Sequence, residues 1–171
     1  MGAEEAGDTD VGQALFEELL WVHRHIRHDL EIVQRLAGEV RDGLPAATLQ
    51  AELDTLKTNG PLWQLRVNCL RYCRFVHTHH HVEDTAFFPA VLRERPDAAA
   101  VVARLEDEHR RVSDDLDAVE AAARALTDDE HGEQARRAVV ATLHDLAANL
   151  LAHLDYEELN LGPAIRRMRA F

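Results

Sequence analysis

The sequence predicts an all-α fold, an antiparallel up-down four-helix bundle with a short helical connector between its first and second helices. Two observations carry the prediction. Along four long stretches apolar residues return with the period that gathers them on one helix face, and no stretch alternates as a half-buried strand would. The breaking residues, Gly43 with Pro45, Thr58-Asn59-Gly60-Pro61, Arg95-Pro96-Asp97 and Gly132, fall between those stretches. With 171 residues, 46% of them apolar, the chain suits one domain over residues 11–171, preceded by a small, acidic tail over 1–10 that is expected to be disordered.

Helix one is expected over about 11–39, with Phe16, Leu19, Leu20, Ile26 and Leu30 on one stripe and His23 at its centre. A connector over 46–56 precedes the Thr58 to Pro61 breaker. Helix two then runs over about 62–93, its inner stripe being Leu65, Tyr72, Val76, His79, Glu83, Phe87 and Ala90. The turn at Pro96 starts helix three, whose stripe is Val102, Leu105, His109, Val112, Leu116 and Ala123. Thr127-Asp128-Asp129-Glu130 has the spacing of a capping box and leads into helix four, which turns Leu143, Leu146, Leu150, His153, Glu157, Leu161 and Ala164 inward. Its basic end, Arg166-Arg167-Met168-Arg169, suits the negative pole of the helix dipole.

Composition narrows the function. A net charge of −12, spread along the chain, opposes binding to nucleic acid or anionic lipid. No apolar run approaches the roughly 20 residues that span a bilayer, and the acidic start lacks the pattern of a secretory signal, so a cytoplasmic location is expected. The two cysteines, Cys69 and Cys73, do not make a disulfide framework. Eleven histidines are the anomaly.

The pattern from His79 to Pro89 recurs from His153 to Pro163, with a glutamate four residues after each histidine, a second acid next to it, and the proline at the same offset. Residues four apart stack on one helix face, so each stretch presents an imidazole beside a carboxylate. The four stripes together read His23, then His79 with Glu83, then His109, then His153 with Glu157, a series that repeats between the two halves of the chain. Such a repeat implies an approximate two-fold axis with the six side chains at similar depth. A single histidine on an apolar face is more often a hydrogen-bonded core residue. Four imidazoles and two carboxylates at one level, however, would cost several kcal/mol per charge to bury without a cation.

Other readings compete along the same helices. His80 and Asp84 share the four-residue spacing of His79 and Glu83 but point about 100° further round the helix, which leaves His80 a supporting role; His77 crowds the same turn. Cys69, Cys73 and His77 form a row that cannot close a tetrahedral site by itself and reads as packing with partial exposure. Trp21, His25, His28 and Ile32 line the outer side of helix one, where a protein partner or second subunit would sit. Tyr72 and Tyr156 lie near the ligand stripes as hydrogen-bond donors or phenolate ligands, and His131 and His144 read as solvated. A ferritin-like site would need Glu-x-x-His twice, and the chain has the spacing once, from Glu106 to His109.

These residues resemble the hemerythrin-like family, the HHE cation-binding domain, over nearly all of the chain after the tail. The resemblance rests on His23, on His79 and Glu83 with Asp84 and Phe88-Pro89, on Glu108-His109, and on His153 and Glu157 with Glu158 and Pro163. It implies a non-heme centre of two Fe ions with an oxo or hydroxo bridge, held by His23, His79, Glu83, His109, His153 and Glu157, the histidines terminal and the glutamates bridging. It also implies a small diatomic or peroxide ligand: O2, peroxide or NO, for sensing or peroxide handling. The alternatives are a di-iron enzyme with catalase-like or iron-oxidising turnover, and an interaction module governed by the metal state. One departure matters: oxygen-carrying members have a second histidine four residues after the first on helix three, where this chain has Ser113. The vacant position falls to solvent, an exogenous ligand, or a nearby tyrosine or histidine.

Overall fold

The computed structural model describes residues 7–42, 61–126 and 132–171, and every regular element among them is helical. Three expectations, the connector over 46–56, the Thr127 capping box and the loop position of His131, lie outside the described residues, as does most of the acidic tail. Helix α1 spans Asp10–Arg41 and α2 spans Pro61–Val82. A π-helical turn, Glu83–Phe87, joins α2 without a break to α3, Phe88–Glu94. A 3-10 turn at Pro96–Ala98 leads into α4, Ala99–Arg124. Helix α5 spans Gly132–Asn160, and α6, Gly162–Arg166, follows it directly.

Helix α1 starts where a threonine can cap it. The Thr9 side chain accepts a hydrogen bond from the Gly12 amide at 2.9 Å, satisfying one of the donors that a helix start leaves open. The same residue fastens this end to the last turn of the chain. Its amide donates to the Arg166 carbonyl at 2.8 Å and its hydroxyl donates to the Met168 carbonyl. Gly12 permits the approach, because a Cβ there would overlap the backbone carbonyls of Ile165 and Arg166.

The expected single helix over 62–93 is interrupted, and Pro89 supplies the reason. A proline has no N–H to give to the carbonyl four residues back, and its ring crowds that carbonyl. The chain widens just before it: the Phe88 amide bonds five residues back, to the Glu83 carbonyl. The extra residue shifts the register after Glu83, so Phe87 and Phe88 are both buried.

The four long helices pack in a closed order, α1 on α2 and α5, and α4 on α2 and α5. The predicted stripes are the buried ones, except that Phe16, Leu20 and His79 are half-buried. One apolar cluster draws Ile26, Leu30, Leu65, Val76, Val112, Leu116, Leu146 and Leu150 from all four helices. A second holds Leu19, Phe88, Val91, Leu105, Leu161, Ile165 and Met168. Along each helix the polar stripe residue falls between the two clusters: His23 between Leu19 and Ile26, His109 between Leu105 and Val112, Glu83 between Val76 and Phe87, Glu157 between Leu150 and Leu161. At about 1.5–3 kcal/mol for each fully buried leucine, these clusters supply enough to hold a polar layer between them. Among the described residues, no helix is long and apolar enough to cross a membrane.

Candidate metal centre

All six side chains singled out in the sequence meet in that layer. His23, His109, His153, Glu83 and Glu157 are buried, and the His79 side chain is 10% exposed. Glu83 reaches two ways, with Oε1 3.2 Å from His79 Nε2 and Oε2 3.4 Å from His109 Nε2. Glu157 does the same from α5, with Oε2 3.4 Å from His23 Nε2 and 3.9 Å from His153 Nε2. The two 3.4 Å contacts are related by the repeat: the glutamate that opens the π-helical turn faces the histidine of α4, and the glutamate of α5 faces the histidine of α1.

Three histidines are fixed from behind by acids next to the ligand motifs. His23 Nδ1 lies 2.9 Å from Glu158, His109 Nδ1 lies 2.7 Å from Asp84, and His153 Nδ1 lies 3.2 Å from Glu108. A carboxylate on Nδ1 keeps the proton there and leaves Nε2 as the basic atom, directed into the pocket. Two of these acids are themselves held. Arg27 donates to Glu158 at 2.7 Å, and Arg104 donates to Glu108 at 2.8 Å while lying 3.6 Å from the centroid of the Tyr156 ring.

The charges within the pocket do not balance alone. Burial, followed by the nearby charges of Glu157 and Asp84, pushes the Glu83 carboxyl well above its usual range. Burial would do the same to Glu157, but the His23 imidazole 3.4 Å away holds it below. Against burial, the carboxylates of Glu157 and Glu158 raise His23. Burial and the neighbouring imidazoles depress His79 to about 3 and His80 well below its ordinary value. Nε2 of His23, His79 and His80, and both oxygens of Glu83 and Glu157, are buried without a hydrogen-bond partner. Each orphaned group costs about 1–3 kcal/mol, and a cation satisfies lone pairs of this kind directly.

Two sets of donors stand at ligand spacing. One set is His80, Glu83, His109 and His153; the other is His23, His79 and Glu83; within each set the ligand atoms lie within 4.8 Å of one another. Bonds of about 2.1 Å put ligand atoms roughly 3.0 Å apart in cis and 4.2 Å apart in trans, so either set closes on an ion by a small contraction. Glu83 belongs to both.

His80, about 100° round the helix from His79, also lies in the layer. It is 5% exposed, and its ring stacks on that of His109 with centroids 4.0 Å apart and planes at 13°. His79 meets His23 of α1, with ring centroids 5.3 Å apart, and His80 meets His109 of α4, so 100° of arc turns the two toward different neighbours without carrying His80 out of the layer. Cys69 and Cys73, expected to be partly exposed, are fully buried, and burial pushes both thiols up to about 12. His77 pairs with Asp117 at 3.5 Å on the surface, and His144 is exposed. The Tyr72 hydroxyl is buried without a partner, and burial raises its pKa. Tyr72 lines a separate groove of about 400 Å³ between α1 and α2, with Trp21, His25, Ile32 and Phe75. Glu106, the one ferritin-like spacing, belongs to neither ligand set among the described residues.

Searches of curated proteins and of solved structures return no match to this chain. A family model, that of the hemerythrin HHE cation binding domain, matches residues 14–165, which takes in every helix that contributes to the pocket. The chain therefore belongs to the hemerythrin HHE cation binding domain family.

Proposed function

We propose that this is a non-heme di-iron protein that binds or reacts with O2, peroxide or NO, built as an antiparallel up-down bundle of α1, α2, α4 and α5. The observation that carries the reading is Glu83, a buried carboxylate whose two oxygens face histidines of different donor sets. In this reading Glu83 and Glu157 bridge, and His23, His79, His109 and His153 are terminal ligands. The mixture of imidazole and carboxylate, with no thiolate in the pocket, favours iron over softer-site metals. Bound iron would supply the redox chemistry toward O2, peroxide or NO. The chain supplies the rest: the apolar clusters above and below exclude bulk water, and Glu158, Asp84 and Glu108 hold the Nδ1 protons of the ligands.

The test is anaerobic loading with ferrous iron followed by air, NO or peroxide. The reading expects about two irons per chain and the absorption of an oxo-bridged pair on oxidation. Fewer irons, with no such absorption, would overturn it. Sustained oxygen evolution from added peroxide, abolished by His109→Ala, would assign catalytic turnover instead of stoichiometric binding.

A further inference from the structure

The two halves of the pocket match at each ligand position, and they differ beside it. The repeat that aligns His79 with His153 and Asp84 with Glu158 aligns His80 with Leu154, which is fully buried in the larger apolar cluster. One half of the layer thus puts an imidazole where the other puts a leucine. A histidine kept only for packing at such a site would need a hydrogen-bond partner for each ring nitrogen that water cannot reach. His80 Nε2 is buried and has none, and it groups with Glu83, His109 and His153 at ligand spacing. The stack on His109, with ring centroids 4.0 Å apart, holds its ring beside another member of that set. Ser113, half-buried, stands four residues after His109, so α4 offers no second imidazole there.

We infer that His80 is a ligand of one of the two metal ions, joining His109 and His153 on that ion and making the pair inequivalent. The inference rests on the di-iron reading above. It leaves the His23 and His79 ion with fewer nitrogens, and so with the position that an exogenous ligand would take.

The variant is His80→Leu, which installs the residue that the other half of the repeat already buries. Without metal, it removes an unpartnered nitrogen, so its thermal midpoint should equal or exceed that of the wild type. With metal, one of two Co(II) equivalents should bind at least about tenfold more weakly, and the rise in midpoint on loading should shrink. A purely packing role for His80 would instead lower the metal-free midpoint and leave both Co(II) affinities unchanged, which would overturn the inference. Proton NMR of the Co(II)-loaded wild type, which needs no variant to fold, gives a second reading. It should contain one strongly shifted, exchangeable imidazole N–H for each of His23, His79, His80, His109 and His153, and the variant should have one fewer. If two Co(II) ions bind but the His80 resonance is unshifted, the inference fails and the dinuclear reading stands; if no Co(II) binds in the pocket, both fail.

Discussion

The Nε2 atoms of His109 and His153 stand 3.2 Å apart, and each ring has its other nitrogen on a carboxylate, Asp84 for His109 and Glu108 for His153. Two imidazoles with both Nδ1 protons held from behind would turn lone pairs on each other. An ion between them removes that conflict, and the predictions follow from it.

Asp84→Asn leaves every proposed ligand in place but weakens the acceptor at His109 Nδ1. Metal affinity should fall by about 10–100-fold with the fold unchanged. Competition against a chelator of known affinity measures this. An unchanged affinity would mean that Asp84 does not orient His109.

Metal should stabilise the chain because the pocket is poorly satisfied without it. At free metal about 100 times its dissociation constant, the gain is about 2.7 kcal/mol, and a chelator should reverse it. Urea unfolding with and without metal is the measurement. Equal midpoints would count against any cation in the pocket.

The metal-free protein should lose stability on acidification. His79, His80 and His153 are held below the ordinary value of 6.5, so the unfolded chain takes up protons there that the folded chain refuses. Glu83 is shifted upward and acts in the opposite sense, whereas the raised His23 is protonated in both states below 6.5 and contributes only above it. Three groups against one leave a net uptake of protons on unfolding, so stability should fall with pH between roughly 6.5 and 4.5. Below that the loss should steepen, as Glu157 and Glu158, held below their ordinary value of 4.5, are protonated. Urea midpoints of chelator-treated protein across this range test the sign. A midpoint that rises on acidification would contradict it.

Gly12→Ala should destabilise the fold by about 1–3 kcal/mol, since its methyl meets backbone carbonyls that have no rotamer to change. Thermal unfolding of the metal-free variant reads it. Wild-type stability would mean that the N-terminal turn is free to move off α6.

Much of this centre was legible before any coordinates. Four apolar stripes, each with a polar residue in its middle, showed which faces are buried, and the repeated His-x-x-x-Glu together with the stripe residues His23 and His109 singled out the six side chains that meet. What periodicity hid was lateral. A helical wheel gives the angle between His79 and His80 but not which neighbouring helix each ring meets, α1 through His23 for one and α4 through His109 for the other. The recurring acids Asp84 and Glu158 were visible as a pattern, yet their partners, His109 and His23, lie on other helices. The interruption of the second helix did have a local signal in Pro89, whose missing N–H calls for a wider turn around Thr85.

The most direct test is diffraction at the iron absorption edge from crystals of the iron-loaded protein. Two anomalous peaks should appear, one among His80, His109, His153, Glu83 and Glu157 and the other among His23, His79, Glu83 and Glu157, each about 2.1 Å from its ligand atoms. A single peak, or iron outside this layer with Glu83 bound to none, would contradict the account.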